Sequence, residues 1–163
     1  MTPELDTRRL GDHVDRLYRA AWALCGSRED AEDLVQETFT RVLAKRREIG
    51  TDDPVPYLVT VLRNVYFTSL RTKSRRPQQT PLEDDHADRL AAPPSASPAQ
   101  QAEAREVFAA IGGLPDEYRD VLVAVDVAGL SYAEAAKALK LPQGTVMSRL
   151  YRGRGRVADA LRA

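Results

Sequence analysis

Apolar residues in the first half of the chain recur at intervals of three and four, the spacing of one face of an α-helix, and no segment shows the alternation of a strand. Three helices are predicted, the first ending at Gly26, the second capped by Ser27 and the third starting within residues 51–54. Their inward stripes are Val14, Leu17, Tyr18, Ala21 and Leu24; Leu34, Val35, Thr38, Phe39, Val42 and Leu43; and Tyr57, Leu58, Val61, Leu62, Val65 and Leu70. The fold class is therefore predicted to be all-α.

The second half has the same periodicity but shorter elements. Ser97 and Pro98 are typical of a helix start, the Gly- and Pro-containing residues 112–115 end that helix, and Gly129 ends the next. Ser131 and Glu134 form a capping-box pattern for a short helix. A turn at residues 142–144 and a last helix from Thr145 should follow, with Val146, Leu150, Val157 and Leu161 facing inward. A capped short helix, a turn containing glycine and a basic helix make a helix-turn-helix pattern.

Charge is balanced overall and unequal locally. Lysine plus arginine number 24, and so do aspartate plus glutamate. Residues 63–76 hold five basic and no acidic side chains, residues 135–158 hold six and none, and residues 77–104 hold five acidic side chains against one arginine. The acidic stretch is rich in proline, so we predict two small helical domains, 1–76 and 98–163, joined by a flexible linker at 77–97.

Several function classes lack support in the sequence. Cys25 is the only cysteine and His13 and His86 are far apart, so neither a disulfide nor a zinc site is expected, and no metal or cofactor is predicted. The sequence contains no phosphate-binding glycine loop and no recognisable pairing of a catalytic nucleophile with a general base. We therefore expect that the protein is not an enzyme. Without an apolar run long enough to cross a bilayer, we expect a cytoplasmic protein that does not insert into membranes.

The last helix is the strongest candidate for DNA binding. Thr145, Ser148, Arg149 and Arg152 would project opposite its apolar stripe and offer donors to a major groove, while Arg154 and Arg156 are placed for phosphate contacts. The alternative is a solvated arginine face, the usual role of a charge run. We favour DNA because no acid accompanies these arginines. Gly153 and Gly155 could also fray or kink the helix.

Three segments together resemble the extracytoplasmic-function (ECF) sigma factors of bacteria. They are residues 30–39 (DAEDLVQETF), residues 56–65 (PYLVTVLRNV), and residues 129–136 (GLSYAEAA) with 144–150 (GTVMSRL). The resemblance covers nearly the whole chain outside the linker. It implies a sigma-2 domain and a sigma-4 domain that bind core RNA polymerase, through its beta-prime and beta subunits, and recognise the minus-ten and minus-thirty-five promoter elements.

The resemblance also assigns residues. In the family, the helix that carries the first motif docks on a beta-prime coiled coil, which makes Asp33, Gln36 and Glu37 candidate polymerase contacts; from spacing alone, an acidic surface helix would be preferred. The third helix and the loop at 49–55 resemble the part that binds the melted minus-ten strand. Candidates there are Arg63, Asn64, Tyr66, Arg71 and Arg75, with Phe67 favoured as core. Tyr57 stands where the family commonly has tryptophan.

In the second domain, Ser148, Tyr151 and Arg152 match DNA-contacting positions of the family. With Thr145, Arg149 and Arg154 they form the expected minus-thirty-five set, whereas Met147 departs from the usual lysine or arginine. Promoter DNA, core polymerase and an anti-sigma factor are the expected partners. The alternatives are a stand-alone helix-turn-helix repressor or activator, which would bind duplex DNA tightly without polymerase, and a helical adaptor that binds proteins only.

Overall fold

The computed structural model describes residues 11–45, 53–73 and 97–163. Its helices are α1 (Val14–Cys25), α2 (Arg28–Ala44), α3 (Val55–Lys73), α4 (Pro98–Gly112), α5 (Asp116–Leu122), a π-helical segment (Val123–Val127), α6 (Tyr132–Leu139) and α7 (Gln143–Arg162). No strand occurs in these ranges, which confirms the all-α prediction. Arg75, most of the loop at 49–55 and nearly all of the predicted linker lie outside the described residues.

Local capping signals locate the helix ends as the sequence predicts. Gly26 ends α1 in the left-handed conformation at φ 70°, which glycine adopts without a steric penalty. The hydroxyl of Ser27 accepts a hydrogen bond from the Asp30 backbone N–H at the start of α2. Complete capping boxes, Ser97 with Gln100 and Ser131 with Glu134, start α4 and α6. These four boundaries are confirmed.

Helix α1 is more deeply buried than its predicted stripe. Leu17, Tyr18 and Leu24 are buried as expected, but so are Ala20 and Trp22, because α2, α3, α4 and the π-helical segment all pack on α1. An amphipathic stripe describes a helix with one packed face, and α1 is packed around most of its circumference.

Four residues that were expected to face inward are exposed instead. Val14 lies in the first turn of α1, and Leu43, Leu70 and Leu161 lie in the last turn of α2, α3 and α7. Each is at least 36% exposed, because the neighbouring helices of the described structure do not cover these ends. The spacing of apolar residues predicts the buried face correctly along the middle of these helices. It fails only at the helix ends, which no neighbouring helix of the described structure covers.

The turn between α6 and α7 differs from the prediction. Helix α7 starts at Gln143 rather than Thr145, and Gly144 belongs to the helix. The residue in the left-handed conformation is Lys140, at φ 55°, and the Leu141 N–H then reaches back to the Ala136 carbonyl. The helix also runs without a break through both of its internal glycines to Arg162.

The two halves of the described chain pack against each other. We call α1–α3 the N-terminal unit and α4–α7 the C-terminal unit. Helix α1 contacts α4 and the π-helical segment, α3 contacts α6, and the buried side chains of both units form one continuous cluster. Trp22 and Phe108 meet across this boundary with ring centroids 5.2 Å apart.

Candidate DNA and polymerase interfaces

Helix α7 presents an outward face that no other helix of the described residues covers. Met147, Ser148, Tyr151 and Arg152 are exposed, Tyr151 by 82%, whereas Val146, Leu150 and Gly153 pack against the rest of the C-terminal unit. Thr145 is half-buried near the start of the helix. In a helix-turn-helix, the second helix inserts such a face into the major groove. The geometry therefore suits base contacts by Ser148, Tyr151 and Arg152.

Three arginines on the flanks of α7 have partners within the unit. Arg154 forms a bidentate ion pair with Asp126 of the π-helical segment, at 2.7 and 2.9 Å. Arg149 Nη2 lies 4.0 Å from Glu117 Oε2, and the Arg156 guanidinium lies over the Tyr118 ring at 4.7 Å from its centroid. Hydrogen bonding to Asp126 raises the pKa of Arg154 above its already high value, so Arg154 stays charged at any physiological pH.

Arg152 differs from these three. Its side chain has no ion pair, hydrogen bond or ring contact with any other residue in the described part of the chain, and it lies on the same exposed face as Ser148 and Tyr151. A cation without a protein partner can bind DNA without first giving up an internal contact. Arg152 is thus better placed for DNA than Arg154, whose assignment stays a prediction.

Helix α2 places the three candidate polymerase contacts on its outer surface. Asp33, Gln36 and Glu37 are all exposed, and Glu37 forms an i,i+4 ion pair with Arg41 at 3.0 Å. Asp33 and Glu37 also line a groove of about 340 Å³ between α2 and α3, whose apolar wall includes Leu70. An acidic rim over an apolar wall is a surface that a basic amphipathic helix of a partner could contact.

Helix α3 divides the candidate minus-ten residues between two faces. Asn64 and Arg71 are exposed. Tyr66 is buried, and Arg63 Nε donates a hydrogen bond to Asp120 Oδ2 of α5 at 2.9 Å. Tyr66 is therefore withdrawn from solvent, whereas Arg63 is bound to the C-terminal unit with 33% of its side chain still exposed.

The environment of Tyr66 is partly apolar and partly cationic. Its hydroxyl accepts a hydrogen bond from Arg119 Nη1 at 3.3 Å, and the Arg119 guanidinium also lies over the ring, 4.9 Å from the centroid. Burial raises the pKa of the Tyr66 phenol above its ordinary value of 10.0, although the positive charge of Arg119 opposes the shift. Phe67 is half-buried and packs edge-on against Tyr66, but it does not belong to the hydrophobic core cluster that was expected to hold it.

Sequence reasoning missed the charged residues that join the two units. Arg119 and Asp120 are buried in α5, and Arg16 of α1 donates through Nη2 and Nε to the Ala128 carbonyl at 2.6 and 3.2 Å. Nothing local marks these residues, because charges on a helix are usually solvent-exposed. The pair Arg119-Asp120 directly before Val121 and Leu122 is the only available hint, since it interrupts an otherwise apolar helix face.

The described residues contain neither a candidate metal site nor a candidate membrane-spanning helix. Among residues 11–45, 53–73 and 97–163, no group of three histidine, cysteine or carboxylate side chains is arranged to hold a metal. Across those same ranges, each helix is too short or too polar to span a membrane.

Comparison with known proteins identifies the family. The family model "Sigma-70 region 2" matches residues 10–76, and "Sigma-70, region 4" matches residues 104–157. The ECF sigma factor EcfG of Rhodopseudomonas palustris is 32% identical over 149 residues, which cover 91% of this chain and 80% of EcfG. The chain belongs to the ECF RNA polymerase sigma factors.

Other ECF sigma factors match over much of this chain. SigM of Bacillus subtilis is 29% identical, over 89% of this chain and 88% of its own length. SigE of Mycolicibacterium smegmatis is 34% identical over 91% of this chain, which spans only 58% of SigE.

Two solved structures share the fold. The sigma factor RpoE of Bartonella quintana, in complex with the anti-sigma factor NepR, superposes with a TM-score of 0.71 at 23% identity, over 96% of both chains. CnrH, in complex with the cytosolic domain of CnrY, superposes with a TM-score of 0.64 at 22% identity, over 94% of this chain and 85% of that one. The arrangement of helices in this ECF sigma factor is thus also found in these two solved structures.

Proposed function

We propose that this ECF sigma factor binds core RNA polymerase and directs transcription from promoters that carry specific minus-ten and minus-thirty-five elements. The observation that carries the proposal is the outward face of α7, where Ser148, Tyr151 and Arg152 are exposed in the second helix of a helix-turn-helix within the region 4 match. Hydroxyl and guanidinium donors on that face suit the acceptor-rich major-groove edge of guanine.

Polymerase binding is assigned to α2. Asp33, Gln36 and Glu37 are exposed on successive turns, so a partner can contact them without unfolding the helix. We assign the beta-prime subunit as the partner of this surface and expect further contacts with beta from the rest of the chain. The acidic groove between α2 and α3 gives the complementary charge for a basic polymerase helix.

Minus-ten recognition is assigned to α3. Asn64 and Arg71 are exposed in the described conformation, and Arg63 and Tyr66 become accessible to a strand once the C-terminal unit moves away. Tyr66 then offers a ring on which an unpaired base can stack, and the arginines offer charge for the backbone. Arg75, outside the described residues, continues the same basic segment in the sequence.

The remaining assignments concern boundaries, location and regulation. We place the sigma-2 domain at 1–76, the linker at 77–97 and the sigma-4 domain at 98–163, in a protein that works in the cytoplasm beside the polymerase. We assign an anti-sigma factor as a further partner, because the structures of two neighbours are complexes with the anti-sigma factor NepR and with the cytosolic domain of CnrY.

Transcription with purified core polymerase tests the proposal directly. Added sigma factor should produce discrete promoter-dependent transcripts that core polymerase alone does not produce. If the free protein instead binds one duplex sequence tightly and no promoter-dependent transcript appears with core polymerase, the chain is a stand-alone regulator.

Two matched substitutions on α7 test the orientation of the helix. Arg152→Ala should reduce promoter use and relax preference at one or two upstream bases, since a good arginine–base contact contributes about 1 to 3 kcal/mol of discrimination. Arg156→Ala removes the same charge from a residue that packs on Tyr118, and it should lower binding to all sequences alike. Selection from a randomised duplex library checks both variants. An unchanged selected sequence for Arg152→Ala would contradict the proposed orientation.

A further inference from the structure

A cavity of about 390 Å³ lies where α1, α4, the π-helical segment and the C-terminal half of α7 meet. Its apolar wall includes Val107, Phe108, Ile111, Leu122, Val127 and Val157. Pockets that bind small molecules occupy about 300 to 1,000 Å³ and are lined mostly by apolar side chains, with a few polar groups that orient the ligand. We call this site the α1–α7 cavity, and its size fits a small ligand with one apolar chain.

The wall of the α1–α7 cavity is held in place and still has apolar surface to cover. Phe108 packs against Trp22 of α1 with ring centroids 5.2 Å apart, which fixes the aromatic part of the wall. Val127 and Val157 are only half-buried, and Leu161 near the end of α7 is 44% exposed. Removing such surface from water is favourable, so the cavity offers a binding surface for an apolar tail.

Three charged side chains also line the α1–α7 cavity, and one of them is uncompensated. Arg154 is already bound to Asp126 through two hydrogen bonds, at 2.7 and 2.9 Å. Arg19 of α1 is half-buried and has no ion pair, hydrogen bond or ring contact with any residue in the described ranges of the chain. The lining therefore carries one net positive charge beside an apolar wall, and its guanidinium is free to bind a carboxylate.

The π-helical segment contributes an irregular turn to the same wall. The Ala128 N–H donates to the Val123 carbonyl, five residues earlier, at 2.8 Å. Asp126 and Val127, both within this segment, line the cavity. A single π-helical turn next to an α-helix is rare and is frequently found at functional sites. This observation is independent of the charge and agrees with a binding site at this place.

We propose that the α1–α7 cavity binds a small amphiphilic carboxylate, of the class of a medium-chain fatty acid. The carboxylate pairs with Arg19, and the apolar tail lies along Phe108 and Val157. Arg154 is the one lining residue that is also a candidate DNA contact, and it is already bound to Asp126. The proposal does not depend on the proposed function, because it rests on the shape, lining and charge of the cavity.

Isothermal titration calorimetry of the full chain with sodium decanoate, below its micelle concentration, tests the proposal. Decanoate should bind saturably at one site, and each methylene removed from its chain should weaken binding by about fourfold. Decan-1-ol has the same chain without the charge, and it should bind at least about tenfold more weakly because it lacks a charge-assisted hydrogen bond to Arg19. No saturable binding of decanoate, or equal affinity for decanol, overturns the proposal.

Two arginine variants locate the carboxylate. Arg19→Gln should weaken decanoate binding by about tenfold or more and leave decanol binding unchanged. Arg162→Gln is the matched control, because it removes the same charge from an exposed side chain near the cavity that does not line it. An equal loss of affinity in both variants would show that decanoate responds only to the net charge of the protein, which contradicts a site at Arg19.

Two alanine variants locate the tail. Ala158 is half-buried in the cavity wall, whereas Ala160, two positions along α7, is exposed and lies outside the lining. Ala158→Trp should fill the cavity and abolish decanoate binding, while Ala160→Trp should bind like wild type. Circular dichroism establishes that each variant keeps its helix content, and the arginine pair decides if Ala158→Trp does not fold. Wild-type affinity in folded Ala158→Trp would place the ligand elsewhere and overturn the assignment.

Other occupants of the cavity would give different results. A second copy of the chain would appear by light scattering as a dimer that Ala158→Trp disperses and Ala160→Trp does not, with no decanoate binding by wild type. Residues 1–10 of the same chain would exclude decanoate from wild type but not from a full-chain variant with Leu5→Asp and Leu10→Asp. Either result overturns the assignment to a small carboxylate.

Discussion

Gly153 and Gly155 provide a sharp test of the packing of α7, because they are two positions apart in one helix and have opposite surroundings. A Cβ built on Gly153 would lie 3.0 Å from Leu122 Cδ1 and 3.4 Å from Tyr118 Cβ, both on α5. A Cβ built on Gly155 would have no atom of the described structure within 4 Å. The same substitution, glycine to alanine, therefore separates helix propensity from helix packing.

The magnitudes follow from these distances. Alanine in a helix interior is more favourable than glycine by about 1 kcal/mol, and Gly155→Ala should gain most of that. Gly153→Ala gains the same propensity but must displace the buried side chain of Leu122, and overpacking of this kind costs about 1 to 3 kcal/mol. The Cβ of Tyr118, which is fixed directly to the backbone of α5, leaves little room for relaxation. We expect Gly153→Ala to be neutral or destabilising by up to about 2 kcal/mol, and at least about 1 kcal/mol less stable than Gly155→Ala.

Denaturant and thermal unfolding of the full chain, followed by circular dichroism, measures both variants against wild type. A change of 1 kcal/mol should move the melting temperature by about 2 to 4 °C in a protein of this size. Gly155→Ala should melt above wild type and Gly153→Ala at or below it. If both variants gain equally, α5 and α7 are not in the close contact described, and the reasoning about Gly153 fails. If neither gains, the helix is not continuous through Gly155.

Two further predictions concern α2 and Tyr66. Replacing Asp33 and Glu37 by arginine should lower affinity for core polymerase by about tenfold or more while the helix content is kept, since exposed substitutions change stability little; unchanged affinity in a binding titration removes the assignment. Because the pKa of Tyr66 is raised, the folded protein holds the phenol proton more tightly than the unfolded chain does. The neutral phenol therefore contributes to the free energy of unfolding in full below about pH 10, and this contribution is lost as pH rises from there towards the folded pKa. Urea unfolding at about pH 9, 10 and 11 should show a steeper loss in wild type than in Tyr66→Phe, and equal slopes would contradict it.

Helix boundaries could be predicted from the sequence because the interactions that set them are local. Ser27 and Ser131 cap helices through backbone groups three residues away, and Gly26 ends a helix through its own φ angle. The turn before α7 was harder to predict because no residue type marks the interaction that forms it. Its left-handed residue is Lys140, and a lysine there is tolerated because the helix end is held by the Leu141 N–H bond to Ala136, a contact that no single residue type announces.

The position of the C-terminal unit could not be predicted in this way. The contacts that fix it, from Arg16 to Ala128 and from Arg63 to Asp120, join residues 112 and 57 positions apart. Many pairs of arginine and aspartate along this chain have separations of this size. The spacing of apolar residues does not indicate which of these pairs are in contact. The consequence for α3 is functional, since the same arginine that the sequence offers to DNA has a carboxylate partner in the folded protein.

The charge pattern of α7 shows how far a sequence can discriminate among candidate DNA contacts. Residues 135–158 contain no acid, which favoured a stripe of arginines free for DNA. In the structure the acids come from other elements, because Asp126 pairs with Arg154 across 28 positions and Glu117 lies beside Arg149. The absence of acidic residues within a segment therefore shows only that its arginines have no acidic partner nearby in the sequence. It identifies α7 as a DNA-binding candidate, but the choice of Arg152 over its neighbours depends on which side chains α5 and the π-helical segment leave without a partner.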